Sequence, residues 1–138
     1  MMKKQLPPVK RMVLIFDNKR ELDFIVFKLK EIGIMTYSSD EIINGINKIK
    51  DLKPQMVVIN MGIDGDISVG INEEIKKISK EEMKVLHIVI PQKIKSENVV
   101  PVLCNNENEF YISKPIRPKL LLSVIKNIIN DEDINWFA

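Results

Sequence analysis

Four apolar runs of the sequence stop on residues of a different kind. "MVLIF" (12–16) gives way to Asp17 and Asn18, "MVVI" (56–59) to Asn60, Met61 and Gly62, "VLHIVI" (85–90) ends on Ile90 before Pro91, and "FYIS" (110–113) gives way to Lys114 and Pro115. A carboxylate, two carboxamides and an ammonium at the ends of buried runs are the makings of a charged pocket, in which Asp17 could pair with Lys114. Asp17 would equally suit the cap of a following helix, and the two roles are compatible. Further carboxylates lie in "GIDGD", where Asp64 and Asp66 read as solvated turn residues because Asp-Gly signals a turn. His87 is the single histidine. With no second histidine and no Ser/Cys constellation near it, it reads as a packed or edge residue and not as a ligand or base. Cys104 is the single cysteine; it can form no internal bridge, has no cysteine partners for zinc, suits a reducing cytosol and reads as a small buried apolar residue.

Those residues must be carried by elements. The strand-like runs are 12–16, 34–38, 56–59, 85–90 and 110–113, three of them almost continuously apolar, as a parallel strand covered on both faces requires. Between them, "KRELDFIVFKLKEIG" places Leu22, Ile25, Val26, Leu29 and Ile32 three and four apart, and Gly33 supplies the stop. A second helix is expected from a capping box of Ser38 with Glu41, through Ile42, Ile46, Ile49 and Leu52 to Pro54. Asn44-Gly45 could mark a hairpin turn, but the helical spacing on both sides makes it a weak point in a helix. A third helix is expected over about 71–79 and a fourth within 96–105, short, kinked or displaced because Pro101 cannot sit deep in a regular helix. The last helix starts at Pro118 and turns Leu121, Val124, Ile125, Ile128 and Ile129 to one face.

Five strands alternating with five helices predict a doubly wound five-stranded parallel α/β sheet, a flavodoxin-like three-layer sandwich. Its ligands would bind at the carboxyl ends of the strands, where the strand order reverses. A chain of 138 residues suits one domain, here 11–130, between a basic arm (1–10) and an acidic, aromatic tail (131–138). Trp136 and Phe137 in that tail fit an interface anchor, a fold-back onto the last helix or the start of a linker. The net charge of +2, with lysines spread along the chain, argues against nucleic-acid binding. No apolar run suits a signal peptide or a membrane span, so the protein is expected in the cytoplasm.

At the strand ends the sequence resembles the receiver domain of bacterial two-component response regulators, the CheY-like superfamily, over about residues 11–130. "LIFDN", "KPQMVVINM" and "FYISKPIRPKLLLSVIKNII" carry the resemblance, above all an aromatic three residues before Lys-Pro followed by an apolar helix. The resemblance implies an acidic pair after the first strand, a phosphate-accepting aspartate ending the third, a Thr or Ser ending the fourth, and a Lys-Pro with a cis peptide after the fifth. Three of those positions depart from the pattern. Asn60 stands at the acceptor, Asn18 at the second, magnesium-contacting acid, and Ile90 at the hydroxyl residue; Asp17, Lys114 and Tyr111 keep family-like character.

Each departure has a chemical consequence. An acyl phosphate needs a carboxylate nucleophile, and the amide of Asn60 has its lone pair delocalised into the carbonyl. Magnesium prefers a rigid octahedron of oxygens with carboxylates to offset its charge. The two missing carboxylates would each contribute roughly 4 kcal/mol of nominal attraction at about 4 Å and an effective dielectric near 20. Magnesium binding is therefore expected to be weak or absent, with Asp17 the residual candidate ligand. Ile90 cannot donate to a phosphate and fills the space a hydroxyl would use. Tyr111, the switch-like aromatic, then has one fixed position or is a plain core-edge residue.

The expected function is that of a degenerate, non-catalytic receiver that works by binding a protein partner, with a homodimer possible. The resemblance implies a partner face on the fourth helix, fifth strand and fifth helix, including Arg117, Lys119 and the region around Pro101. The competing reading keeps phosphoryl transfer on a displaced carboxylate, Asp17, Asp64 or Asp66, with magnesium. A flavin or cobalamin protein of the same fold class is disfavoured, because no glycine-rich phosphate loop follows any strand.

Overall fold

A computed structural model describes residues 9–78, 83–90, 102–106 and 108–130. The elements run β1 (Arg11–Phe16), α1 (Lys19–Glu31), β2 (Met35–Ser39), α2 (Ile42–Leu52), β3 (Met56–Asp64), α3 (Gly65–Ile78), β4 (Lys84–Ile90), β5 (Val102–Asn106), β6 (Glu109–Ser113) and α4 (Pro118–Asn130). All strands join one sheet in the order β2-β1-β3-β4-β6-β5. Five of them are parallel and form the predicted flavodoxin-like, CheY-like α/β sheet; β5 is added at the edge, antiparallel to β6.

The pleat explains why the strand runs are apolar without a break. Met12, Leu14, Phe16, Met56, Val58, Leu86 and Ile88 point to the face covered by α1 and α4, through Ile25, Leu29, Leu121 and Ile125. Val13, Ile15, Val57, Ile59 and Val85 point the other way, to Ile49 of α2 and Ile75 of α3. Successive residues of β1, β3 and β4 thus enter opposite cores, while the edge strand β2 remains partly exposed. No helix among the described residues is long and apolar enough to cross a membrane.

Helix ends show where local chemistry overrode or obeyed the pattern. Gly33 stops α1 at φ +81°, with its N–H on the carbonyl of Lys30 and that of Ile34 on Leu29. The Ser38–Glu41 capping box does not form. Ser38 lies in β2, where its carbonyl accepts from the Lys48 ammonium, and Ser39 Oγ instead accepts from the N–H of Glu41 at 3.1 Å. Asn44-Gly45 does lie inside a helix, and its glycine has a packing reason: a Cβ at Gly45 would fall 2.3 Å from Ile15 Cδ1 of β1.

Three expectations are corrected. The third helix begins at Gly65, well before 71, and Asp64 closes β3 while Asp66 lies in the first turn of α3, so "GIDGD" is a strand-to-helix junction and not a loop. The third strand itself continues past residue 59 to Asp64. The fourth helix expected within 96–105 is replaced over Val102–Asn106 by β5; the rest of that stretch, with Pro101, lies outside the described residues, as do 1–8 and 131–138 with Trp136 and Phe137. The polar run of Asn105, Asn106 and Asn108 is a turn signal that breaks helical continuity and returns the chain into β6. Cys104 lies in β5, opposite Phe110 in register.

Candidate functional site

The strand order reverses between β1 and β3, which opens a crevice at their carboxyl ends. Phe16 pairs there with Asn60, and the N–H of Asp17 donates to the Asn60 backbone carbonyl at 3.2 Å. From Ile59 opposite His87 to Ile63 opposite Val89, β3 advances four residues while β4 advances two, so β3 bulges immediately after the buried Asn60. Gly62 sits in the bulge at φ +66°, a conformation a side chain would strain, and Asp17 Oδ2 lies 3.4 Å from the position its Cβ would take. The bulge thus folds the backbone of β3 alongside the Asp17 carboxylate.

The side chain of Asn60 is only 1% exposed and has a defined orientation. Its Nδ2 donates to Glu21 Oε2 at 3.3 Å; the flipped amide would set oxygen against the carboxylate. Oδ1 is left buried without a hydrogen-bond partner among the described residues. Glu21 is the functional-pocket residue that the sequence reading missed. It lies in the first turn of α1, three residues after the Asn18 cap, a position from which an acidic side chain can face the strand ends.

Asn18, not Asp17, caps α1. Its Oδ1 accepts from the N–H of Glu21 at 3.0 Å, which commits the side chain to the helix end. Asp17 is exposed beside Gly62, and no ion pair joins it to Lys114 among the described residues. Lys114 is partly buried; its N–H donates to the Val89 carbonyl at 2.9 Å, and its peptide bond to Pro115 is cis. Ile90 ends β4 opposite Asp64. Among the described residues no group of three or more His, Cys, Asp or Glu side chains is placed to hold a metal ion. Asn18 is committed to the helix cap and Glu21 accepts from the Asn60 amide, so Asp17 is the pocket carboxylate without a hydrogen-bond partner among the described residues, a set poorer in free anionic oxygens than magnesium favours.

Tyr111 and His87 are neighbours across the β4–β6 ladder. Their rings stack at 4.7 Å between centroids and 10° between planes, and both are buried. His87 Nε2 lies 3.3 Å from Asn72 Oδ1 of α3, so the tautomer with hydrogen on Nε2 donates to it. Burial pushes the imidazole down to about 4, against a smaller upward pull from the Glu109 carboxylate. Burial and the same carboxylate push the Tyr111 phenol up to about 12. The buried Glu109 is itself paired with Lys76 of α3. His87 is a packed residue, as its sequence context suggested.

Arg117 and Lys119 stand at the amino end of α4. They share a groove of about 600 Å³ with Asn18, Arg20, Glu21, Phe24 and Pro118, so they face α1.

Comparison with known proteins places the architecture. No protein-family model matches the sequence, and no curated protein matches it. Solved structures do match. The response regulator receiver domain protein from Clostridium thermocellum is 24% identical with a TM-score of 0.63, over 90% of this chain and 97% of that one. The receiver domain protein from Bacillus halodurans C-125 is 17% identical with a TM-score of 0.59, over 88% and 97%. The CheY-like receiver domain from Methylobacillus flagellatus is 11% identical with a TM-score of 0.62, over 87% and 98%. The fold is that of response regulator receiver domains.

Proposed function

We propose that the chain is a receiver-type signalling domain of a two-component pathway that acts by binding a protein partner in the cytoplasm, without aspartyl phosphorylation. The observation that carries this reading is Asn60. It lies in β3 opposite Phe16, the last residue of β1, beside the topological switch point, and its buried amide is held by Glu21, which supports taking it as the counterpart of a receiver's acceptor. A carboxamide there offers no nucleophilic oxygen. Asn18 is taken up in the α1 cap, which supports weak magnesium binding, and Ile90 offers no hydroxyl. The His87 stack supports a Tyr111 with one fixed position.

The test is incubation of the full chain with acetyl phosphate and magnesium, read by intact mass. The expected spectrum shows the unmodified mass alone. A stoichiometric adduct of one phosphoryl group, labile to hydroxylamine, would overturn the reading in favour of a displaced carboxylate, and peptide mapping would then distinguish Asp17, Asp64 and Asp66.

A further inference from the structure

The groove between α1 and α4 carries charge that the acceptor pocket does not explain. Arg20, Arg117 and Lys119 converge on one cavity of about 600 Å³, opposed only by Glu21 among its lining residues. Among the described residues, none of the three cationic side chains makes a hydrogen bond or an ion pair. All three are exposed, so water screens their mutual repulsion, and together they leave a local excess of positive charge that would favour an anion. Glu21 cannot fully supply it, because three positive charges against one negative leave an excess of two, and one of its oxygens already accepts from Asn60.

From this we infer that the groove is a binding site for a small ligand carrying a diphosphate group. The cavity falls within the range of roughly 300–1,000 Å³ typical of small-ligand sites. Two guanidinium forks present paired N–H donors that match adjacent phosphate oxygens, and the ammonium adds a point charge. Phe24 and Pro118 add apolar surface to the groove wall, against which the non-ionic part of a ligand could pack. The amino ends of α1 and α4 open on the same space, which adds favourable dipoles to the side-chain charges. The inference stands on this groove alone and does not rest on the reading of Asn60.

The experiment is isothermal titration of the full chain with pyrophosphate and, separately, with ADP, at low and at physiological ionic strength. Saturable one-to-one binding of pyrophosphate is expected, weakened by salt and weakened about tenfold or more by Arg117→Glu. Lys119→Glu serves as the second variant, and circular dichroism checks that both fold. Tighter ADP than pyrophosphate would identify a nucleotide as the source of the diphosphate; equal affinity would identify the diphosphate alone. Absence of saturable binding by either ligand would overturn the inference. So would affinity unchanged in both folded variants, or displacement of pyrophosphate by an equal concentration of an oligoglutamate peptide, which would make the groove a docking site for acidic protein. Phosphoryl labelling reads the Asn60 pocket and this titration reads the groove, so either reading can fail without the other.

Discussion

Replacing Asn60 by aspartate restores the atom that a receiver's chemistry needs, yet the structure predicts a less stable protein. The amide nitrogen lies 3.3 Å from Glu21 Oε2, and Asn60→Asp puts a second carboxylate oxygen there. Two unit charges at that distance repel by about 5 kcal/mol at an effective dielectric near 20. Glu21 is partly exposed, so water screens most of this, while the hydrogen bond to a charged acceptor, worth roughly 1.5–3 kcal/mol, is lost as well. A net loss of about 2 kcal/mol near pH 8 is the expected outcome, read by urea denaturation in EDTA. Glu21→Gln in the Asn60→Asp background should return most of the stability, because it removes the repulsion and supplies an amide donor. Parental stability of Asn60→Asp, or no recovery in the double variant, would refute the assignment of Glu21 as the partner of residue 60. Robust magnesium-dependent phosphoryl labelling of the single variant would show that Asn18 and Ile90 do not impair the chemistry.

Two further outcomes follow from the packing. His87 is held neutral with its protonation lowered from 6.5 to about 4, so the unfolded chain takes up the proton first as pH falls. Stability should therefore decline between about pH 6.5 and 4, by about 3 kcal/mol at the low end. His87→Gln should flatten that limb relative to the parent in denaturation measured across the range; an unchanged acid limb would contradict it. Gly45→Ala drives a methyl group into Ile15 Cδ1 and should destabilise by about 1–3 kcal/mol. Ile15→Val, which removes that carbon, should recover part of the loss in thermal unfolding; additive losses would contradict the close contact.

The continuous apolar runs made the parallel strands legible, because a strand between two helical layers has no polar face to reveal. Gly33 was equally clear, as a glycine at the end of a periodic helix. The β5 strand was hidden because helix and short apolar strand share a composition, and Pro101 was taken to distort a helix when the asparagines after Cys104 were the stronger signal. Asp17 and Asn18 are adjacent and equally able to cap, so only backbone geometry assigned the role to Asn18. The contact of Glu21 with Asn60 links residues 39 positions apart and depends on how the start of α1 lies on β3, which local sequence does not encode. Arg117 and Lys119 were identifiable as cations at a helix start, but their convergence with Arg20 depends on how α4 lies on α1.

Lys84 holds the far end of α4. Its ammonium, buried at the start of β4, donates to the carbonyl of Ile128 at 2.7 Å. The carboxyl end of α4 is thereby pinned at the start of β4, opposite Met56, while the amino end forms a wall of the groove. A helix of 13 residues is a rod of about 20 Å. Between its two ends Leu121, Leu122, Val124, Ile125 and Ile128 are buried, so α4 is clamped along its length and that wall of the groove cannot yield without opening the core.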